Sequence, residues 1–128
     1  MAVSTLNFAL KTINDRAVRT SVTVVANDDD YAGAKFSVPK GTPLTLVVAA
    51  TAAGSAGTVF SLQGSVDGIN FATLKDINVQ TSTGDLTAAG VLAETHLPST
   101  GGSWPWYRLH INSTQSNGSA GTAWILEG

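Results

Sequence analysis

Phe60-Ser61-Leu62-Gln63-Gly64-Ser65-Val66-Asp67-Gly68-Ile69-Asn70-Phe71 reads as a strand, a tight turn and a returning strand. Phe60 and Leu62 alternate with polar neighbours, the period of a strand with one buried face. Asp67-Gly68 supplies the turn, because glycine accepts the positive φ that a tight hairpin demands. Residues 69–74 return, and residues 77–80 continue the strand past a bulge. Two more strands lie downstream, Trp106-Tyr107-Arg108-Leu109-His110-Ile111 and Thr122-Ala123-Trp124-Ile125-Leu126, joined by a Ser/Asn/Gly loop. In the first of them Tyr107, Leu109 and Ile111 are expected inward and Trp106 outward.

The N-terminal half extends the same pattern. Leu6, Phe8 and Leu10 alternate with Asn7, Ala9 and Lys11, so residues 1–13 read as an N-terminal arm or an edge strand. Residues 18–26 form a β-branched strand that Asn27-Asp28-Asp29-Asp30 ends. Residues 34–38 are a short strand closed by Pro39 and Pro43, each lacking a ladder donor. Residues 44–51 are so continuously apolar that burial on both faces is expected, or cover of one face by a neighbouring subunit. Residues 81–90 are a polar loop, residues 91–97 a strand, and Pro98-Ser99-Thr100-Gly101-Gly102 a loop. No amphipathic helix is evident. The expected fold is all-β: one antiparallel β-sandwich of about eight strands over residues 1–128, jelly-roll or immunoglobulin-like.

Composition narrows the function. The 128 residues suffice for one core. Charged residues make up 12%, about half the usual share, while 43% are hydrophobic. Such a weakly charged surface is poorly protected against association, so neighbours in an assembly are expected to cover much of it. A net charge of −2 offers no basic stripe for nucleic acid. There is no cysteine for disulfides or thiolate metal sites. The first residues lack the form of a signal peptide, and the longest apolar stretch, 44–53, is too short to span a bilayer.

Chemistry-bearing patterns are sparse. His96 and His110 have no metal-ligand spacing. Asp28-Asp29-Asp30 lacks the spaced ligands of a calcium loop and reads as a solvated acidic loop. No GxSxG elbow or phosphate-binding glycine loop occurs. The expectation is a protein without catalytic, cofactor or metal residues. The candidate interaction surface is Trp104, Trp106, Arg108 and Trp124, since an exposed indole can stack on a sugar or fill a partner's pocket.

Gln63-Gly64-Ser65-Val66-Asp67-Gly68-Ile69-Asn70-Phe71 followed by Leu74 resembles the GSxDGxNW/F…L hairpin of small β-sandwich domains in tailed-bacteriophage virion proteins. Those chains continue to a YxRL strand and a closing GTAxxxL strand, here Tyr107-Arg108-Leu109 and Gly121-Thr122-Ala123-Trp124-Ile125-Leu126. The resemblance covers residues 57–127. It implies a virion structural protein on the capsid surface: a decoration (cement) protein bound to the major capsid protein as a homo-oligomer, with a trimer favoured. The terminal strand would be free to augment a neighbour's sheet. The alternatives are a carbohydrate-binding module, with a glycan as ligand, and a tail or baseplate component. No nucleic-acid or membrane partner is expected.

Overall fold

The computed structural model describes residues 18–24, 31–54, 57–112 and 120–127. The N-terminal arm, the Asp28-Asp29-Asp30 loop and most of the Ser/Asn/Gly loop lie outside them. In chain order the described strands are β1 (Val18–Val24), the two-residue β2 (Tyr31–Ala32), β3 (Leu44–Ala52), β4 (Thr58–Ser65), β5 (Ala72–Val79), β6 (Gly90–His96), β7 (Trp106–Asn112) and β8 (Ala120–Glu127). Seven of them are full strands and β2 is a short addition. The protein is all-β. Among the described residues no helix is long and apolar enough to cross a membrane.

Two antiparallel sheets face each other, ordered β1-β8-β3-β6 and β2-β7-β4-β5. Of the successive described strands, only β4 and β5 remain in one sheet; every other connection crosses to the opposite layer. This nested order is that of a jelly roll, in which the chain folds over on itself about a central hairpin. An immunoglobulin-like order would keep the first two strands side by side.

Alternation within the strands builds the core. Leu44, Leu46, Val48 and Ala50 of β3 point inward with Ala123 and Ile125 of β8. They meet Phe60 and Leu62 of β4, Ile77 and Val79 of β5, and Tyr107, Leu109 and Ile111 of β7. Each fully buried large apolar side chain contributes about 1.5–3 kcal/mol relative to exposure. The inward triad of β7 is the one its sequence predicts.

Three expectations are corrected and one is narrowed. Residues 34–38 form no strand: Gly33 and Phe36 each donate a backbone N–H to β7, to Leu109 O (2.8 Å) and Tyr107 O (2.9 Å). The pairing stops before Pro39, which has no N–H to offer. Of the two readings of the β3 run, burial on both faces does not hold within one chain, where Thr45, Val47 and Ala49 are half-buried on the outer side; the other is cover by a neighbouring subunit. The terminal strand is not free, because β8 lies inside its sheet with β1 on one side and β3 on the other. Residues 98–102 hold one helical turn, α1 (Pro98–Gly101), in which Gly101 N–H donates to Leu97 O at 2.8 Å.

Candidate functional site

The β4–β5 connection is a six-residue loop, not the two-residue turn that Asp67-Gly68 suggests. The Asp67 carboxylate gathers it. Oδ1 accepts from Ile69 N–H and Asn70 N–H, both at 2.8 Å, and from the Ser65 hydroxyl at 2.9 Å. Oδ2 accepts from Asn70 Nδ2 at 2.7 Å. Ser65 Oγ in turn accepts from Gly68 N–H at 2.9 Å. The backbone donors of Asn70 and Ile69, then the side chains of Asn70 and Ser65, hold the Asp67 carboxyl well below the usual aspartate range. Gly68 has φ +76°, where a side chain is strained. A Cβ on Gly64 would lie 2.9 Å from both Leu74 Cδ1 and the Trp104 ring, so the strand approaches its neighbours too closely for any side chain there. The GSxDGxN spacing thus encodes one rigid loop. It carries Val66 and Ile69 outward, 73% and 78% exposed.

Beside this loop, Trp106 and Arg108 stand on the outer surface of the β2-β7-β4-β5 sheet. Arg108 Nε donates to Gln63 Oε1 at 2.7 Å, and its guanidinium lies 4.0 Å from the Phe71 ring centre. Lys35 Nζ donates to Gly68 O at 3.2 Å and sits 4.9 Å from the Trp106 ring centre. Within this cluster Arg108 Nε and Gln63 Oε1 bond each other, and Lys35 Nζ bonds the Asp67 loop. Gln63 and Ser65, although outward by register, are buried at 8% and 1% exposure beneath it.

The other two predicted residues lie elsewhere. Trp104 packs against the core at the end of the sandwich. Its indole N–H donates to Gly101 O at 3.1 Å, and its backbone N–H to the Tyr107 hydroxyl at 2.9 Å. Trp124 is half-buried on the outer surface of the opposite sheet. The structure therefore brings together Trp106 and Arg108 and separates them from Trp104 and Trp124.

Around Trp124 lies a surface of different chemistry. In register across β8, β3 and β6 run Trp124–Val47–Ala93, Thr122–Ala49–Val91 and Leu126–Thr45–Thr95. These three outward rows contain no charged residue. Val91 is 68% exposed. Val47, Ala49, Val91 and Ala93 were not singled out from sequence. The signal for the first two was the near-continuous apolar run of β3, interrupted by Thr45 and Thr51.

The histidines do not meet. His96 is buried, 3% exposed, with Nε2 2.8 Å from Gly102 O. His110 lies on the outer face of β7, half-buried. Among the described residues no group of three His, Cys, Asp or Glu gathers around a common point. A cleft of about 290 Å³ between β5 and β6 is lined by Thr73, Lys75, Thr95, His96 and Leu97, among others, at the lower limit of ligand-pocket sizes.

No protein-family model matches this chain, and no curated protein does. A solved structure described as the crystal structure of PirA is similar to it, with a TM-score of 0.51 and 16% sequence identity. The match covers 85% of this chain and 92% of that one. At that identity the likeness is one of fold alone.

Proposed function

We propose that this chain is a non-enzymatic structural protein of a tailed-bacteriophage virion, a capsid decoration protein that binds the outer surface of the major capsid lattice as a homo-oligomer. The observation that carries this reading is the charge-free apolar surface centred on Val47, Trp124 and Ala93. A surface of β-branched, small and aromatic side chains suits the desolvated centre of a protein interface, with an indole as its anchor. The resemblance of residues 57–127 to virion β-sandwich hairpins supports the particle as the setting. Many weak contacts repeated around a lattice would then stabilise the head through multivalency.

Carbohydrate binding is the weaker alternative. Three indoles at three separate places give no shared stacking platform. A tail or baseplate role would use the same apolar surface against a different partner.

The test is co-sedimentation with phage heads that lack the protein. The wild-type chain is expected to pellet with heads at saturating stoichiometry. Val47→Lys, which places a charge at the centre of the apolar patch, is expected to weaken binding by about 100-fold or more. Equal binding by a folded Val47→Lys variant, or no binding by the wild type, would overturn the reading.

A further inference from the structure

We propose that two copies of this chain join edge to edge through β6, in antiparallel register about a two-fold axis at Ala93. Strand edges are pairing templates unless something blunts them. Three edges here are interrupted. β1 carries a register shift between Val18 and Thr20. β2 is only two residues long. β5 is bulged at Leu74, where the partners of Leu62 and Gln63 step from Lys75 to Thr73. The loop after β5 also folds back on it, with Asn78 N–H donating to Asp85 Oδ2 at 2.8 Å. β6 differs. Its register against β3 runs unbroken from Gly90 to His96, and among the described residues its other side has no strand partner.

The side chains point the same way. Val91 and Leu97, two of the four large hydrophobics most exposed among the described residues, lie at the start of this strand and just past its end. A second copy fits the edge because the sequence is compatible with itself in this register. The small Ala93 meets its own mate on the axis, and β-branched Val91 meets Thr95. Glu94, the only acid of the strand, pairs with the buried Leu46 of β3 and so lies on the core-facing side by register; across the axis it faces Leu92 and not another Glu94, so no like charges stand opposite one another. Pairing over the full strand joins the two apolar outer surfaces into one continuous sheet face. The inference does not rest on the virion reading.

The test uses the absence of cysteine from the chain. Opposed residues of an antiparallel pair have Cα atoms about 4.5–5.5 Å apart, within the reach of a disulfide. Full-length Ala93→Cys is expected to oxidise to a covalent dimer at least 10-fold faster than the control Ala88→Cys, at an exposed position outside the strand. The double variant Val91→Cys/Thr95→Cys is expected to form a doubly linked dimer. Sedimentation of the wild type should give a dimer that Val91→Lys/Thr95→Lys dissociates, with its circular dichroism unchanged. A wild-type monomer, a trimer, or Ala93→Cys linking no faster than the control would each overturn the proposal. Heads play no part in these measurements, so failure here and failure of capsid binding are read separately.

Discussion

At the middle of one outer surface, Arg108 is hydrogen-bonded to Gln63 and stacked on Phe71; at the middle of the other stand Val47, Trp124 and Ala93, with no charged neighbour in their rows. Both sheets wall the same core. They differ in what is done with the residues that face away from it. On the β2-β7-β4-β5 side, Arg108 bonds Gln63 and stacks on Phe71, and Lys35 reaches Gly68 O and the Trp106 ring, above the buried Gln63 and Ser65. On the β1-β8-β3-β6 side, Thr45 and Thr95 share a hydroxyl hydrogen bond of 2.9 Å, and the central outward positions Val47, Trp124 and Ala93 are apolar. Hydrogen bonds at a half-exposed surface are modest individually. An apolar face gains free energy when a partner removes it from water. The contrast sets an outer surface tied by side-chain hydrogen bonds against one that, on the proposed reading, is left for a partner.

The largest expected effect breaks the contrast from the apolar side. Val47→Lys should reduce capsid affinity by about 100-fold or more, measured by co-sedimentation, while a charge change at Lys35 or Arg108 should leave affinity within about 3-fold. Loss of affinity from both surfaces alike would erase the distinction. Next in size is Gly64→Ala, which forces a methyl against Leu74 and Trp104 at 2.9 Å. It should lower stability by about 1–3 kcal/mol in chemical denaturation. An unchanged midpoint would mean that the Trp104 plug yields freely.

Arg108→Ala is expected to cost about 1 kcal/mol, the worth of one charged hydrogen bond and a partly exposed stack, with capsid affinity unaltered. The smallest effect concerns Asp67, which is exposed and held by four hydrogen bonds. Its depressed folded-state pKa means that its carboxylate stabilises the fold above the ordinary aspartate value of 3.8. That contribution is lost as pH falls below that value toward the lower folded pKa. The difference in thermal midpoint between the wild type and Asp67→Ala should therefore be constant from neutral pH to about pH 5 and shrink toward about pH 2. A difference that persists undiminished in acid would contradict the role given to the carboxylate.

The strands were legible because their periods are local. Tyr107, Leu109 and Ile111 alternate inward as written, and Phe60 and Leu62 mark the opening hairpin. Sheet membership was not legible. Which strand neighbours β8 depends on pairings between residues far apart in the chain, and no local pattern records that β8 lies between β1 and β3. The Asp67 loop was read as a tight turn because Asp-Gly is the hairpin dipeptide. The decisive partners, Ser65 and Asn70, flank it and widen it to six residues. Trp104 and Trp106 look like neighbours on one strand, but β7 begins only at Trp106, so Trp104 turns into the end of the core. The apolar surface was half visible. The continuity of residues 44–51 pointed to a second covered face, while Val91 and Ala93 join it only through the register of β6 on β3.

Cryo-electron microscopy of phage particles assembled with this chain tests the central proposal most directly. The account predicts density for the jelly roll on the outer capsid surface, with Val47 and Trp124 against the major capsid protein and the Asp67 loop facing elsewhere. Density in the tail, or on the head with the Trp106–Arg108 surface against the capsid, would contradict it.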